Sequence, residues 1–137
     1  MHLHIEFDST FENVDYAIFD IIEFLDNNSN IKEAWVNFVV DFSVRELLNN
    51  AVEYGNRMNI EKKVICDFSC DEEEIVIEVK DGGEGFSVGR ENKTEAGYVQ
   101  DKSIMVESLK KLGFSLIVNS DNVKATLKIK GSENYLT

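Results

Sequence analysis

Glu46 and Asn50 stand four residues apart in Phe42-Ser-Val-Arg-Glu46-Leu-Leu-Asn-Asn50-Ala-Val-Glu-Tyr54-Gly55. On a helix that spacing puts a carboxylate and an amide on nearly the same face. Such a pair suits a hard cation such as Mg2+, which takes oxygen ligands and keeps several of its waters. The carboxylate also suits taking a proton from a hydroxyl or a water. By themselves the two residues read more readily as a solvated helix face.

Asp81 adds a second half. It opens Asp81-Gly82-Gly83-Glu84-Gly85-Phe86, directly after a run in which Ile75, Ile77 and Val79 alternate with Val76, Glu78 and Lys80. Asp-Gly alone signals an ordinary turn. Glycines at 82, 83 and 85 exceed what a turn requires; they let backbone approach a flat ligand and leave main-chain donors available. An aspartate beside such a loop accepts hydrogen bonds from an exocyclic amino group, as adenine has.

The elements that position these residues follow from periodicity. Residues 2–7 alternate as a short strand. Phe11, Val14, Ile18, Ile22 and Leu25 recur at three- and four-residue spacing, an apolar helix stripe, with Ser9 and Thr10 as N-cap oxygens before it. A second helix is predicted over 31–54, stopping at Gly55-Asn56. Strands follow at 63–69 and 74–80 around Cys70-Asp71-Glu72-Glu73, then a polar stretch, a third helix at 103–112, and a hairpin of 114–119 with 123–130. The order β-α-α-β-β-α-β-β predicts one sheet with the helices on one face, a two-layer α+β sandwich.

A chain of 137 residues suits a single domain over 1–137. Its formal charge of −12 argues against nucleic acid or anionic membrane as partner, since both reward Lys and Arg clusters. No apolar run reaches membrane-span length and the N-terminus does not read as a signal peptide, so a cytoplasmic protein is expected. Cys66 and Cys70 are too close for a disulfide framework and read as reduced structural thiols. His2, His4 and Glu6 share one strand face, which suits either a metal or a plain polar surface.

Glu46-x-x-x-Asn50-Ala51-x-x-x-Gly55 resembles the N box of the GHKL superfamily of ATP-binding domains, to which gyrases and histidine kinases belong. Asp81-x-Gly83-x-Gly85-Phe86 resembles its first glycine box, and the resemblance covers nearly the whole chain. It implies the Bergerat ATP-binding fold, with a mixed, mainly antiparallel sheet. A free-standing domain of this length looks most like the bacterial anti-sigma factor serine/threonine kinases. The resemblance then implies ATP and Mg2+ as cofactors, Asp81 on the adenine amino group, Asn50 as Mg2+ ligand and Glu46 as general base. Gly83 and Gly85 would shape the adenine side. It also implies a sigma factor or an anti-sigma factor antagonist as protein partner, and a homodimer. Tyr54 stands where many relatives have His.

The lid departs from the family pattern. Relatives carry Gly-x-Gly before the helix whose N-terminus receives the phosphates; here Gly97-Tyr98-Val99-Gln100-Asp101-Lys102 places Val99 and Asp101 there. Losing two hydrogen bonds to charged phosphate removes about 3–6 kcal/mol. Since about 1.4 kcal/mol is tenfold, a micromolar site becomes millimolar. Lys102 or Arg90 suits a phosphate cation, and both read as well as solvated loop residues. Two functions of different class follow: a protein serine kinase, or a protein-binding regulatory module with weak or no phosphoryl transfer. Near the last strand, relatives have Gly-Thr where this chain reads Lys124-Ala125-Thr126.

Overall fold

The structure, a computed structural model, describes residues 2–28, 34–82 and 104–129. Strand β1 (His2–Asp8) leads into helix α1 (Phe11–Asn28), and α2 (Ala34–Asn50) follows. A π-helical turn, Ala51–Gly55, extends α2 and is followed by β2 (Lys63–Cys70) and β3 (Glu74–Asp81). Residues 104–111 form α3, and β4 (Ser115–Val118) and β5 (Asn122–Lys128) close the described chain. The sheet runs β1-β2-β3-β5-β4, and its four pairings are all antiparallel. The expected α+β sandwich is therefore what forms, with β3 at the centre of the sheet.

Alternation decides which sheet face is covered. Along β2, Val64, Cys66, Phe68 and Cys70 are buried while the residues between them are not, and β3 repeats this with Ile75, Ile77, Val79 and Asp81. In β5 the buried set is Val123, Ala125 and Leu127. Each buried Val, Ile, Leu or Phe side chain of these strands contributes roughly 1.5–3 kcal/mol when removed from water. The helices supply the opposing layer through Val14, Ala17, Ile18, Ile21 and Leu25 of α1 and Val36, Val40, Val44, Leu47 and Leu48 of α2. Phe24 meets Phe68 edge to face, with ring centroids 6.3 Å apart, a favoured aromatic arrangement.

Two details depart from simple periodicity. Phe11, placed on the apolar stripe of α1, is exposed, and Ala17 and Ile21 fill the core in its stead. The α1 stripe is thus rotated toward 14, 17, 18, 21 and 25. The second helix does not run as a plain α-helix to Tyr54. Its ladder widens when Asn56 N–H donates to the Ala51 carbonyl at 2.8 Å, a five-residue step. The N-cap expectation for α1 holds: the Thr10 hydroxyl accepts from Asn13 N–H at 3.1 Å.

On the open face of the sheet, His2 Nε2 and His4 Nδ1 lie 3.1 Å and 2.7 Å from one Asp67 oxygen. His4 is paired directly with Asp67 across β1 and β2. Among the described residues no three His, Cys, Asp or Glu side chains converge on a point where they could hold a metal. The polar surface is the reading that these contacts support. Cys66 and Cys70 are both buried and neither forms a disulfide. Among the described residues no helix is long and apolar enough to cross a membrane.

Candidate functional site

Asn50 is the last residue of α2, and Asp81 is the last residue of the central strand β3. The fold brings them into one cleft, lined by Leu47, Asn50, Ala51, Val79, Asp81, Met105, Asn122 and Val123. Its walls come from α2, β3, α3 and β5, and all but three of these residues are apolar. Asp81 is only 7% exposed, so its carboxylate acts in a low-dielectric setting where a hydrogen bond counts for more than in water. Its backbone N–H donates to the Asp121 carbonyl at 3.0 Å, fixing the strand end against the turn before β5.

Asn50 is oriented by its own helix. Its Nδ2 donates to the Glu46 carbonyl at 2.9 Å. The amide oxygen is then the end left to act as acceptor or ligand. That matches what a hard cation requires of a protein that supplies one or two oxygens and leaves the rest to water and phosphate. Glu46 lies one turn earlier, half-buried, and does not line the cleft. Asn50 and Asp81 are therefore juxtaposed, while Glu46 stands to one side of them along α2.

Gly55 is part of this geometry, although its sequence position reads simply as a helix stop. A Cβ built on it would lie 2.6 Å from Asp81 Cγ and closer still to Asp81 Oδ2. Only glycine lets the π-turn close over the aspartate. The turn is held from behind by Asn56, which is 1% exposed. Its Nδ2 donates to the Ser9 hydroxyl at 2.5 Å and to the Lys63 carbonyl at 2.9 Å. Ser9 Oγ in turn donates to the Lys62 carbonyl at 2.8 Å. The turn, the start of β2 and the loop before α1 are thus fastened together beside the carboxylate. Ser9, expected as an N-cap oxygen of α1, serves this clamp instead and leaves the cap to Thr10; for Asn56 its place directly after the helix-ending glycine is the signal.

Gly82 corrects one expectation. Its bare Cα faces the Lys63 backbone, where a Cβ would lie 3.0 Å from the carbonyl oxygen and 3.1 Å from the nitrogen. It serves contact with β2 rather than approach to a flat ligand. The expected lid and loop residues Gly83, Gly85, Arg90 and Lys102 lie outside the described residues, as do Val99 and Asp101. The Gly-Thr comparison at 124–126 falls away from the site, because Thr126 pairs with Val76 and Ser115. Asn122 instead reaches the cleft, while its side-chain amide donates to Glu78 Oε2 at 2.8 Å. Since Glu78 alternates with the buried Val79, that amide turns to the opposite sheet face.

The cleft is small, with a volume of about 10 Å3, room for a single water. Met105, on the first turn of α3 and 1% exposed, forms part of its wall. What the arrangement offers chemically is a buried acceptor at one end of an apolar slot and an amide oxygen at the mouth.

The model of a family described as the histidine kinase-like ATPase domain matches residues 12–124. A search of the curated proteins finds no match.

Proposed function

The chain belongs to the histidine kinase-like ATPase family, and from that premise we propose that it binds ATP with Mg2+ in the cleft between α2 and β3. Nucleotide binding, typically with Mg2+, is what this family implies. The observation that carries the assignment to these residues is the meeting of Asp81 and Asn50 across one apolar cleft. Asp81 accepts from the adenine amino group, and Asn50 Oδ1 is the metal ligand. The metal supplies charge neutralisation for the phosphates.

On this reading the chain is an anti-sigma regulatory factor that phosphorylates a serine of an anti-sigma factor antagonist. Glu46, one turn from Asn50, would accept the proton of the serine hydroxyl as it attacks the γ-phosphate and ADP leaves. Support comes from the N-box residues Glu46, Asn50, Ala51 and Gly55. A second reading, a protein-binding module with weak or no transfer, is favoured by the sequence before α3, where Val99 and Asp101 replace lid glycines.

Calorimetric titration of the chain with ATP and Mg2+ tests the binding claim. Replacing Asp81 by Ala removes a hydrogen bond to a charged acceptor, worth about 1.5–3 kcal/mol, so affinity is expected to fall at least about tenfold. A wild-type chain giving neither heat nor thermal stabilisation at millimolar ATP would overturn the assignment. Glu46→Ala separates the two readings: in a kinase it stops phosphate transfer to the antagonist while ATP binding persists.

A further inference from the structure

Away from the cleft, a groove of about 420 Å3 runs along the outer surface of the α1/α2 pair, lined by Ile22, Asn37, Phe38, Asp41, Phe42 and Arg45. Two bonds fasten the helices across it. Arg45 Nη1 donates to Asp15 Oδ1 at 2.7 Å, and Asn37 Nδ2 donates to Asp26 Oδ1 at 2.9 Å. The rim is aromatic. Phe38 is 69% exposed, and Phe19, one turn before Ile22 on α1, is 64% exposed; Tyr16 beside it is 62% exposed. Exposed apolar surface gathered in one place and edged by charge marks interaction sites.

Charge says what kind of partner fits. Helix α1 carries Glu12, Asp15, Asp20, Glu23 and Asp26 and no Lys or Arg, and α2 adds Asp41 and Glu46 against Arg45 alone. Arg45 is engaged by Asp15 and Asp41, so neither helix offers an acidic partner an uncommitted cation. Glu12, Tyr16, Phe19 and Glu23 succeed one another at helical spacing, which sets the α1 aromatics between carboxylates. A second copy of a chain carrying −12 would bring the same carboxylates against these, so charge opposes self-association through this face.

We propose that the groove docks an amphipathic helix of a partner protein. The apolar face of that helix packs on Phe19, Phe38 and Phe42, and a flank of Lys or Arg meets Glu12 and Glu23. Recognition of this kind uses side chains at helical spacing inserted between two fixed helices. It does not depend on the nucleotide cleft, and the failure of either assignment leaves the other standing.

The test uses the full chain and a synthetic helical peptide with leucines on one face and lysines on the other. A scrambled isomer of identical composition is the control, and binding is measured by calorimetry. The amphipathic peptide is expected to bind and the isomer not to. Phe38→Ala is expected to weaken binding about tenfold, as removal of a central aromatic anchor does. Glu23→Lys is expected to weaken it and to reduce its salt dependence. Phe19→Ala provides the same readout should Phe38→Ala not fold. Binding of neither peptide, equal binding of both, or unchanged affinity in the aromatic variants overturns the proposal. So does sedimentation as a dimer that Phe38→Ala dissociates, because a second copy would then fill the groove.

Discussion

Gly55 has no side chain because the Asp81 carboxylate occupies the space one would need. Gly55→Ala is therefore expected to cost roughly 1–3 kcal/mol, the usual range for forcing a methyl into filled space. It should also weaken nucleotide binding, since Asp81 must move. The same substitution made in an Asp81→Ala background meets no carboxylate and should cost clearly less. A double-mutant cycle by urea denaturation measures the difference, and additive costs would show that the two residues do not press on one another. Cys66 offers a second test at this scale. Burial, aided by the nearby Asp67 charge, pushes its thiol up to about 12 from an ordinary 9.0. The unfolded thiol ionises above pH 9.0 while the native one stays protonated, so the unfolded state binds fewer protons in that window. Its contribution is fully present below pH 9.0 and is lost as pH rises toward 12. Urea midpoints should fall with pH across that range, and less steeply in Cys66→Ala. Thiol reagents should leave Cys66 unmodified in the native chain at pH 8 and label it after unfolding, because the thiolate is the reactive form.

Among the elements, α3 borders the cleft, since Met105 forms part of its wall. Met105→Ala should lower stability by about 2–5 kcal/mol, as truncating a buried methionine does. The same change should speed nucleotide association, because less has to move before a base enters. Stopped-flow rates for wild type and variant decide this; an unchanged rate would mean that Met105 does not gate entry. Much at this scale was legible in the sequence. The strands carry a two-residue alternation that survives in their burial, and the end of β3 correctly delivers Asp81. Asn50 was legible as well, because an α-helical ladder reaches it intact. The π-turn was not, since its widened ladder leaves the apolar pattern of residues 51–55 unchanged, and Asn56 anchors it through contacts to β2 and to the loop before α1. Phe11 was misplaced for a related reason: a stripe read at 100° per residue fixes its own rotation only to within one column. The clamp of Ser9 and Asn56 joins residues remote in sequence, and no local pattern encodes it. Gly82 looked like part of a ligand loop because composition cannot tell which backbone a glycine approaches.

For the molecule as a whole, charge and ligand are in tension. A chain of −12 repels a free nucleotide tetraanion, and repulsion of this kind acts over about 8 Å at physiological ionic strength. Asn50, a neutral amide, does nothing to offset it, and Asp81 adds to it. The binding that we propose then depends on a divalent cation in two ways, as a bond to Asn50 Oδ1 and as halving of the ligand's charge. Removing Mg2+ with a chelator should weaken ATP binding by at least about tenfold, equivalent to about 1.4 kcal/mol. Adenosine has no phosphates to neutralise and should bind alike with and without the metal. Asn50→Ala separates the two contributions. If the metal acts through this residue, the variant loses most of the Mg2+ dependence at fixed salt; if it acts only by neutralising charge, the dependence stays and shrinks as salt is raised. Equal ATP affinity in chelator and in Mg2+ would remove Asn50 from the metal site and leave Asp81 as the sole anchor that the cleft provides.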